Sequence, residues 1–162
     1  MPSDPYTAGL SLLARRERCT AQMVAELRQR GFDDDGIEAA VARLQQEGAL
    51  DDSRTARVHA RRAARVTHRG PHRAEREIAA LGIAPAVARA AVAEIYAEEG
   101  VENVLERSLA RRLAEGAAVT DRTQFGRLYR YLLRQGFDPQ TATATLRARA
   151  GAAAAADDEQ AP

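Results

Sequence analysis

The sequence predicts an all-α protein made of three tandem three-helix repeats that form an elongated, curved array. The first reason is a phrase that recurs: LRQRGFDDDG at 27–36, LLRQGFDPQT at 132–141 and, more faintly, IAALGIAPAV at 78–87. The second is composition, because 36 of the 162 residues are Ala, the best helix former, and no run alternates as a sheet strand requires. Each set of three helices is too small to bury its own apolar face, so neighbouring sets must stack.

The recurring phrase predicts a helix end, a tight turn and the start of another helix. Gly31, Gly82 and Gly136 stand at the helix ends, where a left-handed residue closes the helix and glycine adopts that conformation without steric cost. In the first copy, Asp33 or Asp34 can cap the next helix with its carboxylate. The copies are separated by 51 and then 54 residues, which indicates an internal repeat of roughly fifty residues.

Caps and apolar spacing place nine helices in order along the chain. Their approximate ranges are 5–16, 20–30, 34–47, 52–67, 71–81, 85–99, 101–115, 121–135 and 138–149. Asp4, Thr20 and Asp121 are the expected N-caps. Gly70 and Gly116 are expected to end the fourth and seventh helices.

The buried faces of these helices follow from helical spacing. Ile37, Val41 and Leu44 are spaced i, i+4, i+7 on the third helix and should point inward. Equivalent stripes are Ala88, Val92 and Ile95 on the sixth helix and Ala142, Leu146 and Arg149 on the ninth. The eighth helix has the richest apolar face, formed by Phe125, Leu128, Tyr129, Leu132 and Leu133.

The helices group into consecutive segments of the chain. Three-helix repeats are expected at 5–49, 50–100 and 101–149. A disordered tail is expected at 150–162, because periodic apolar residues there give way to alanines followed by acids.

Overall charge and cysteine content indicate a cytoplasmic protein. The net charge is +1, and no apolar run approaches the length of a membrane span or forms a secretory signal. The single cysteine, Cys19, excludes an internal disulfide and suits a reducing compartment. We interpret it as a small buried residue rather than a nucleophile, because no partner base can be identified.

A strongly basic stretch at 54–76 is the principal candidate for function. It holds eight arginines and one acid, Glu75. We define the basic strip as the seven arginines expected to bind a partner: Arg54, Arg57, Arg61, Arg65, Arg69, Arg73 and Arg76. One interpretation is a solvated face with salt bridges, which acids at 33–35 could supply through tertiary contact. The other is a docking surface for an acidic protein or for nucleic-acid phosphates.

Metal binding and catalysis find no support in the sequence. His68 and His72 are four residues apart, but Gly70 and Pro71 interrupt the helix that would align them. No phosphate-binding glycine loop, nucleophile–base pair or paired carboxylates can be argued from the spacing. We therefore expect no catalytic residue, no metal and no cofactor.

One stretch of the chain begins LARRERCTAQM and ends VHARRAAR, at 13–65, and a second is RGPHRAEREIAALGI, at 69–83. Both resemble the RecX family, regulatory proteins that modulate the RecA recombinase. The resemblance covers about residues 10–150. The positions that carry it are Gly31, Phe32, Ile37, Leu44, Gly48, Leu50, Asp51, Asp52, Arg54, Arg61, Gly70, Pro71, Arg73, Glu77, Gly82 and Ile83.

The resemblance implies a non-enzymatic regulator of DNA repair, homologous recombination and the SOS response. Members of the family lie in the groove of the RecA–DNA filament, bridge adjacent subunits and restrain ATP hydrolysis, filament growth and strand exchange. Some also bind DNA, so single- or double-stranded DNA is a second candidate partner. We expect a monomer that faces the filament with its basic strip. The alternatives are a stand-alone nucleic-acid-binding helical module and a purely structural scaffold.

Overall fold

A computed structural model of the chain describes residues 4–114 and 117–159. All regular structure within these residues is helical, which confirms the predicted all-α class. The elements are α1 (Pro5–Leu13), α2 (Thr20–Gln29), α3 (Asp34–Gln46), α4 (Asp52–Arg62), a π turn (Ala63–Thr67), α5 (Pro71–Ala79), α6 (Pro85–Glu99), α7 (Val101–Leu109), α8 (Arg122–Gln135) and α9 (Pro139–Glu159).

The three glycine turns adopt the predicted conformation. Gly31, Gly82 and Gly136 have φ angles of 86°, 92° and 94°. In the first copy Phe32 N–H donates to Leu27 O, and in the last copy Phe137 N–H donates to the corresponding carbonyl, Leu132 O. These bonds link the residue after each glycine to the final turn of the helix, as expected for a helix closed by a left-handed glycine.

Two helices end earlier than the sequence predicts. α1 stops at Leu13 rather than near 16, because the Arg18 guanidinium donates to Leu12 O and Arg16 O and so satisfies carbonyls that further helix would have used. α7 stops at Leu109 rather than near 115, where a tighter i→i+3 bond from Arg112 N to Leu109 O closes it. The predicted stop at Gly116 lies outside the described residues.

Other boundaries are also corrected. Cys19, not Thr20, is the N-cap of α2, and its backbone N–H donates to Gln22 Oε1. The helical run after α4 loosens into the π turn and ends at His68, whose φ of 50° is left-handed, rather than at Gly70. α9 is Pro139–Glu159 and so runs beyond the predicted end at 149, while the tail expected at 150–162 stays a prediction. Residues 160–162 of that segment are not described.

The chain divides into two compact units. One comprises Met1–His59 with Glu75–Val92, and the other comprises Ala60–Ala74 with Ala93–Pro162. This division passes through the segment expected as the middle repeat, 50–100. The repeat boundaries at 5–49, 50–100 and 101–149 stay a prediction.

The first unit has an apolar core that joins α1, α2 and α3. The predicted stripe of Ile37, Val41 and Leu44 is buried. The core cluster consists of Ala8, Leu12, Met23, Leu27, Ile37, Val41, Leu44 and Leu50. Cys19 is buried as predicted, and its Sγ lies 3.0 Å from Leu81 O.

In the second unit α7, α8 and α9 pack against one another. Leu105, Leu109, Leu132 and Leu146 are fully or almost fully buried. On α8 the predicted Leu128 is buried, whereas Phe125, Tyr129 and Leu133 are only half-buried. Tyr131 is buried instead, and its ring is fixed by a hydrogen bond from its hydroxyl to Ser108 O. No helix within the described ranges is both long and apolar enough to cross a lipid bilayer.

In each unit, a glycine turn packs against the start of a helix that lies earlier in the chain. In the first unit, a Cβ at Gly82 would overlap Ala21, two residues after Cys19. In the second, Gly70 N–H donates to Gln135 O over 2.7 Å, and a Cβ at Gly136 would overlap Arg73. The turn at Gly31 differs, because a Cβ there meets nothing within 4 Å. We call the Gly70–Gly136 contact the glycine seam.

Candidate binding surface

The basic strip follows α4, the π turn and α5, and its arginines belong to both compact units. Arg54, Arg57 and Arg76 lie in the first unit, and Arg61, Arg65, Arg69 and Arg73 in the second. The two groups are therefore described one after the other. What distinguishes individual arginines is whether the fold already supplies an acceptor for the guanidinium.

Arg54 is held by acceptors of the first unit. Its Nε lies 2.9 Å from Glu17 Oε1, and its two terminal nitrogens donate to Gly48 O and Ala49 O, each over 2.9 Å. These carbonyls lie in the turn between α3 and α4, so Arg54 holds that turn in place. The hydrogen bond to Glu17 is also the main reason that the pKa of Arg54 is raised. Arg54 thus has a structural role, and its predicted contact with a partner stays a prediction.

The other two strip arginines of the first unit differ from each other. Arg57 is half-buried and engaged within the fold. Arg76 is exposed on α5, and its guanidinium makes no hydrogen bond or ion pair with any residue that the structure describes. Arg76 therefore remains accessible to a partner.

Arg65 in the second unit binds a carboxylate of its own fold. Its Nε lies 2.6 Å from Glu99 Oε1, and Arg107 Nη2 approaches the other oxygen of Glu99 at 3.3 Å. The Glu99 side chain is only 12% exposed. Its hydrogen bond from Arg65 is the largest cause of a lowered pKa for Glu99.

Arg69 and Arg73 belong to the glycine seam. Arg69 Nη1 donates to Gln135 Oε1 over 2.6 Å, and Tyr96 donates its hydroxyl to Arg69 O over 2.7 Å. Arg73 Nη1 donates to Arg134 O over 3.3 Å. These arginines satisfy acceptors at the end of α8, which places them in the packing of the second unit.

Arg61 is the remaining member of the strip. It lies half-buried on α4, and among the residues described its guanidinium has no hydrogen-bond or ion-pair partner. Arg61 and Arg76 are thus the strip arginines best placed to bind a partner.

The acids at 33–35 do not neutralise the strip. Asp33 caps α3 through Gly36 N, and Asp34 pairs with Arg28 at 2.8 Å. Glu17 and Glu99 are carboxylates that bind strip arginines, and the local sequence did not indicate either of them.

The histidines do not assemble into a metal site. His68 is half-buried, and burial is the main cause of a lowered pKa for its imidazole, with the Arg111 charge acting in the same direction. Over residues 4–114 and 117–159, no group of three or more His, Cys, Asp or Glu side chains is placed to hold a metal ion.

A second basic feature in the second unit was missed by the sequence analysis. An open groove of about 400 Å³ lies between α8 and the turn that follows α7. We call it the arginine groove, and its lining consists of Arg112, Gln124, Arg127, Leu128, Arg130, Tyr131 and Arg134. The signal was present in the sequence, because positions 127, 130 and 134 share a helix face and α8 contains no acid.

The chain is similar to a protein family and to several known proteins. A family model described as "RecX, first three-helix domain" matches residues 6–44. The "Regulatory protein RecX" of Halorhodospira halophila is 34% identical over 157 residues, covering 96% of this chain and 91% of that protein. The protein of the same name from Stenotrophomonas maltophilia strain K279a is 36% identical over 134 residues, covering 83% and 80%.

Solved structures are similar at the level of the fold. The crystal structure of RecX from Lactobacillus salivarius superposes with a TM-score of 0.76 at 19% identity, over 88% of this chain and 92% of that one. A second structure, of a regulatory protein RecX, gives a TM-score of 0.73 at 17% identity over 86% and 70%. These similarities confirm the predicted helical-repeat fold.

Proposed function

This chain belongs to the RecX family of regulatory proteins, and we propose that it binds the RecA–DNA filament in the cytoplasm and restrains ATP hydrolysis, filament growth and strand exchange. The observation that carries the proposal is the similarity to a regulatory RecX over 96% of the chain. The role is regulatory, with no catalytic step assigned to any residue. Its consequence is control of homologous recombination and DNA repair.

We assign the proposed contact with the filament to part of the basic strip. Arg54, Arg65 and Arg69 already hold acceptors of the fold, so freeing them would break internal hydrogen bonds. Arg61 and Arg76 would lose no such bond on binding. Each new contact to a filament carboxylate or phosphate contributes about 1–2 kcal/mol, and added salt weakens it.

Charge reversal at the two available arginines tests this contact. The variant carries Arg61→Glu and Arg76→Glu, and cosedimentation with pre-formed RecA–DNA filaments measures its binding. A matched control carries Arg15→Glu and Arg30→Glu, which changes net charge equally at exposed arginines outside the strip that lack a side-chain partner in the described structure. We expect the strip variant to lose cosedimentation and inhibition of RecA ATPase, and the control to keep both.

The outcomes separate the proposed function from the proposed contact. If the unmodified protein neither cosediments with filaments nor inhibits the ATPase, the proposed function is wrong. If the unmodified protein and the strip variant bind and inhibit equally well, the function stands and the assignment to Arg61 and Arg76 is wrong. Circular dichroism of each variant must show unchanged helicity.

A stand-alone nucleic-acid-binding module is the second candidate function. The arginine groove favours it, because four arginines line one cavity and α8, which supplies three of them, contains no acid. Titration with DNA alone and with RecA–DNA filaments distinguishes the two. Equal affinity for both ligands, with a steep loss of affinity as salt rises, would favour the nucleic-acid module.

A further inference from the structure

The arginine groove carries positive charge that the fold leaves unpaired. Within residues 4–114 and 117–159, its guanidinium groups make no hydrogen bond or ion pair; they belong to Arg112, Arg127, Arg130 and Arg134. α8 supplies three of them and contains no acidic residue. Like charges that surround one concave site repel one another, so an anion that binds among them is favoured.

The row of arginines on α8 is bounded at both ends. At the start of the helix, the carboxylate of Asp121 accepts from Gln124 N over 2.8 Å. That bond is the main cause of a lowered pKa for Asp121, to which Arg127 adds a smaller effect, so this end carries a negative charge. At the other end lies the glycine seam, where Gly70 N–H donates to Gln135 O. A ligand confined to the groove avoids both boundaries, whereas a long anionic chain would have to pass them.

The size of the groove and the spacing of its arginines fit a short chain of phosphates. The volume of about 400 Å³ is that of a small-molecule site. Arg127, Arg130 and Arg134 are spaced i, i+3, i+7 along one face of α8, over about 10 Å of helix axis. A single orthophosphate cannot contact all three guanidinium groups, whereas linked phosphates offer oxygens to each. Guanidinium groups bind such oxygens through two parallel hydrogen bonds.

The fourth arginine is organised before any ligand binds. The guanidinium carbon of Arg112 lies 5.0 Å from the centroid of the Tyr131 ring, within the range of a cation–π contact. The ring is itself fixed, because the Tyr131 hydroxyl donates to Ser108 O. Arg112 therefore loses little conformational freedom when it binds an anion. Gln124 adds its amide N–H groups as donors, since its carbonyl oxygen already accepts from Thr120 N.

We infer that the arginine groove is a binding site for a small condensed phosphate, a ligand in which two or more phosphate groups are linked in a chain. Nucleoside triphosphates and short inorganic polyphosphates share this chemistry. The three arginines of α8 contact the phosphate chain, and Arg112 meets it from the turn that follows α7. Because the ligand neutralises these charges, its presence also decides whether the same surface remains available to a nucleic acid.

Isothermal titration calorimetry of the full chain, in buffer without divalent cations, tests the site with tripolyphosphate as the probe. The groove variant carries Arg127→Gln and Arg130→Gln. The control carries Arg122→Gln and Arg147→Gln, which remove the same charge from exposed positions in the same unit, outside the groove. If the double variant fails to fold, the single change Arg130→Gln replaces it.

We expect the unmodified protein and the control to bind tripolyphosphate equally well, with a single site per chain. The groove variant should bind about tenfold or more weakly, because each lost guanidinium removes charge-assisted hydrogen bonds. Orthophosphate should bind the unmodified protein about tenfold or more weakly than tripolyphosphate, since it contacts fewer arginines. Absence of tripolyphosphate binding, or equal losses in groove variant and control, would overturn the inference.

A titration with adenosine triphosphate identifies the source of the phosphates. Tighter binding than that of tripolyphosphate would assign the groove to a nucleoside triphosphate, because the base and sugar then contribute. Equal or weaker binding would assign it to an inorganic polyphosphate. Both results support a site for condensed phosphates.

A competition experiment separates this ligand class from a nucleic acid. A short labelled single strand of DNA is bound first, and tripolyphosphate is then added at equal phosphate concentration. A strand that depends on the groove arginines and is not displaced would assign the groove to nucleic acid and overturn the inference. Displacement, or a strand whose binding ignores the groove variant, supports it. No filament is used, so the result is independent of the proposed function.

Discussion

The basic strip and the arginine groove resemble each other in the sequence, but their guanidinium groups have different environments in the structure. Arg54, Arg65 and Arg69 in the strip donate to Glu17, Glu99 and Gln135, all supplied by the fold. In the groove, by contrast, the guanidinium groups of four arginines have no such acceptor among the described residues. The basic strip is the more conspicuous cluster in the sequence, and it is also the one whose arginines pair more often with acceptors of the fold.

Local charge balance therefore does not predict which arginines are available to a partner. Glu17 and Glu99 lie 37 and 34 residues from the arginines that they bind. Tertiary packing brings them together, so a sequence window with many arginines and one acid can still be well paired. Availability depends on acceptors that only the folded chain defines.

The largest expected loss of stability is at Gly136, and it tests whether the strip residue Arg73 belongs to the packing of the fold. Gly136→Ala should destabilise the protein by at least about 3 kcal/mol, because the left-handed φ is strained for Ala and the new Cβ overlaps Arg73. Gly31→Ala, at a similar φ with open space around it, should cost only about 1–2 kcal/mol. Urea unfolding followed by circular dichroism measures both. Equal costs would show that the glycine seam adds nothing.

A smaller loss of stability is expected when Arg54 is replaced. Arg54→Met removes its bonds to Glu17, Gly48 and Ala49 and should lower the free energy of unfolding by about 2 kcal/mol. The side chain is 39% exposed, and water can replace part of what is lost. Arg76→Met serves as the control and should change the free energy of unfolding by less than about 0.5 kcal/mol. If Arg54→Met left the free energy of unfolding unchanged, Arg54 would count among the arginines available to bind a partner.

Lowering the pH should weaken the ion pair between Arg65 and Glu99. The pKa of Glu99 is lowered from its ordinary value of 4.5, chiefly by the hydrogen bond from Arg65. Its contribution to stability is therefore present above pH 4.5 and is lost as pH falls through the lowered value. Urea unfolding at successive pH values should show a shallower acid dependence for Glu99→Gln than for the exposed Glu102→Gln. Identical profiles would contradict this assignment.

The smallest effect is expected in the arginine groove. Because its guanidinium groups hold no acceptor in the described structure, Arg127→Gln with Arg130→Gln should change the free energy of unfolding by less than about 0.5 kcal/mol. Thermal and urea unfolding of this variant measure the change directly. A loss comparable to that of Arg54→Met would mean that the groove arginines also stabilise the fold, and the contrast between the two regions would disappear.

Much of the fold could be predicted because it depends on local rules. Glycine conformation and helical spacing fixed the turns at Gly31 and Gly136 and the buried face of α3. The burial of Tyr131 could not be predicted, because its face of α8 is decided by packing against α7. The basic strip could be located in the sequence, but the pairing of Arg65 with Glu99 depends on tertiary contact.

The turn contacts at Gly82 and Gly136 bear on how proteins of this architecture change length. In each contact one side is the start of a helix, near Cys19 or Gly70, and the other is a glycine turn further along the chain, with 62 residues between Cys19 and Leu81 in the first contact. The middle part of the chain thus contributes one half to each contact, the turn at Gly82 to the first and the helix start near Gly70 to the second. Duplicating, within a gene, a segment that contains one such helix start and one such glycine turn would create a longer protein. The added contact would already fit its neighbours, without compensating substitutions.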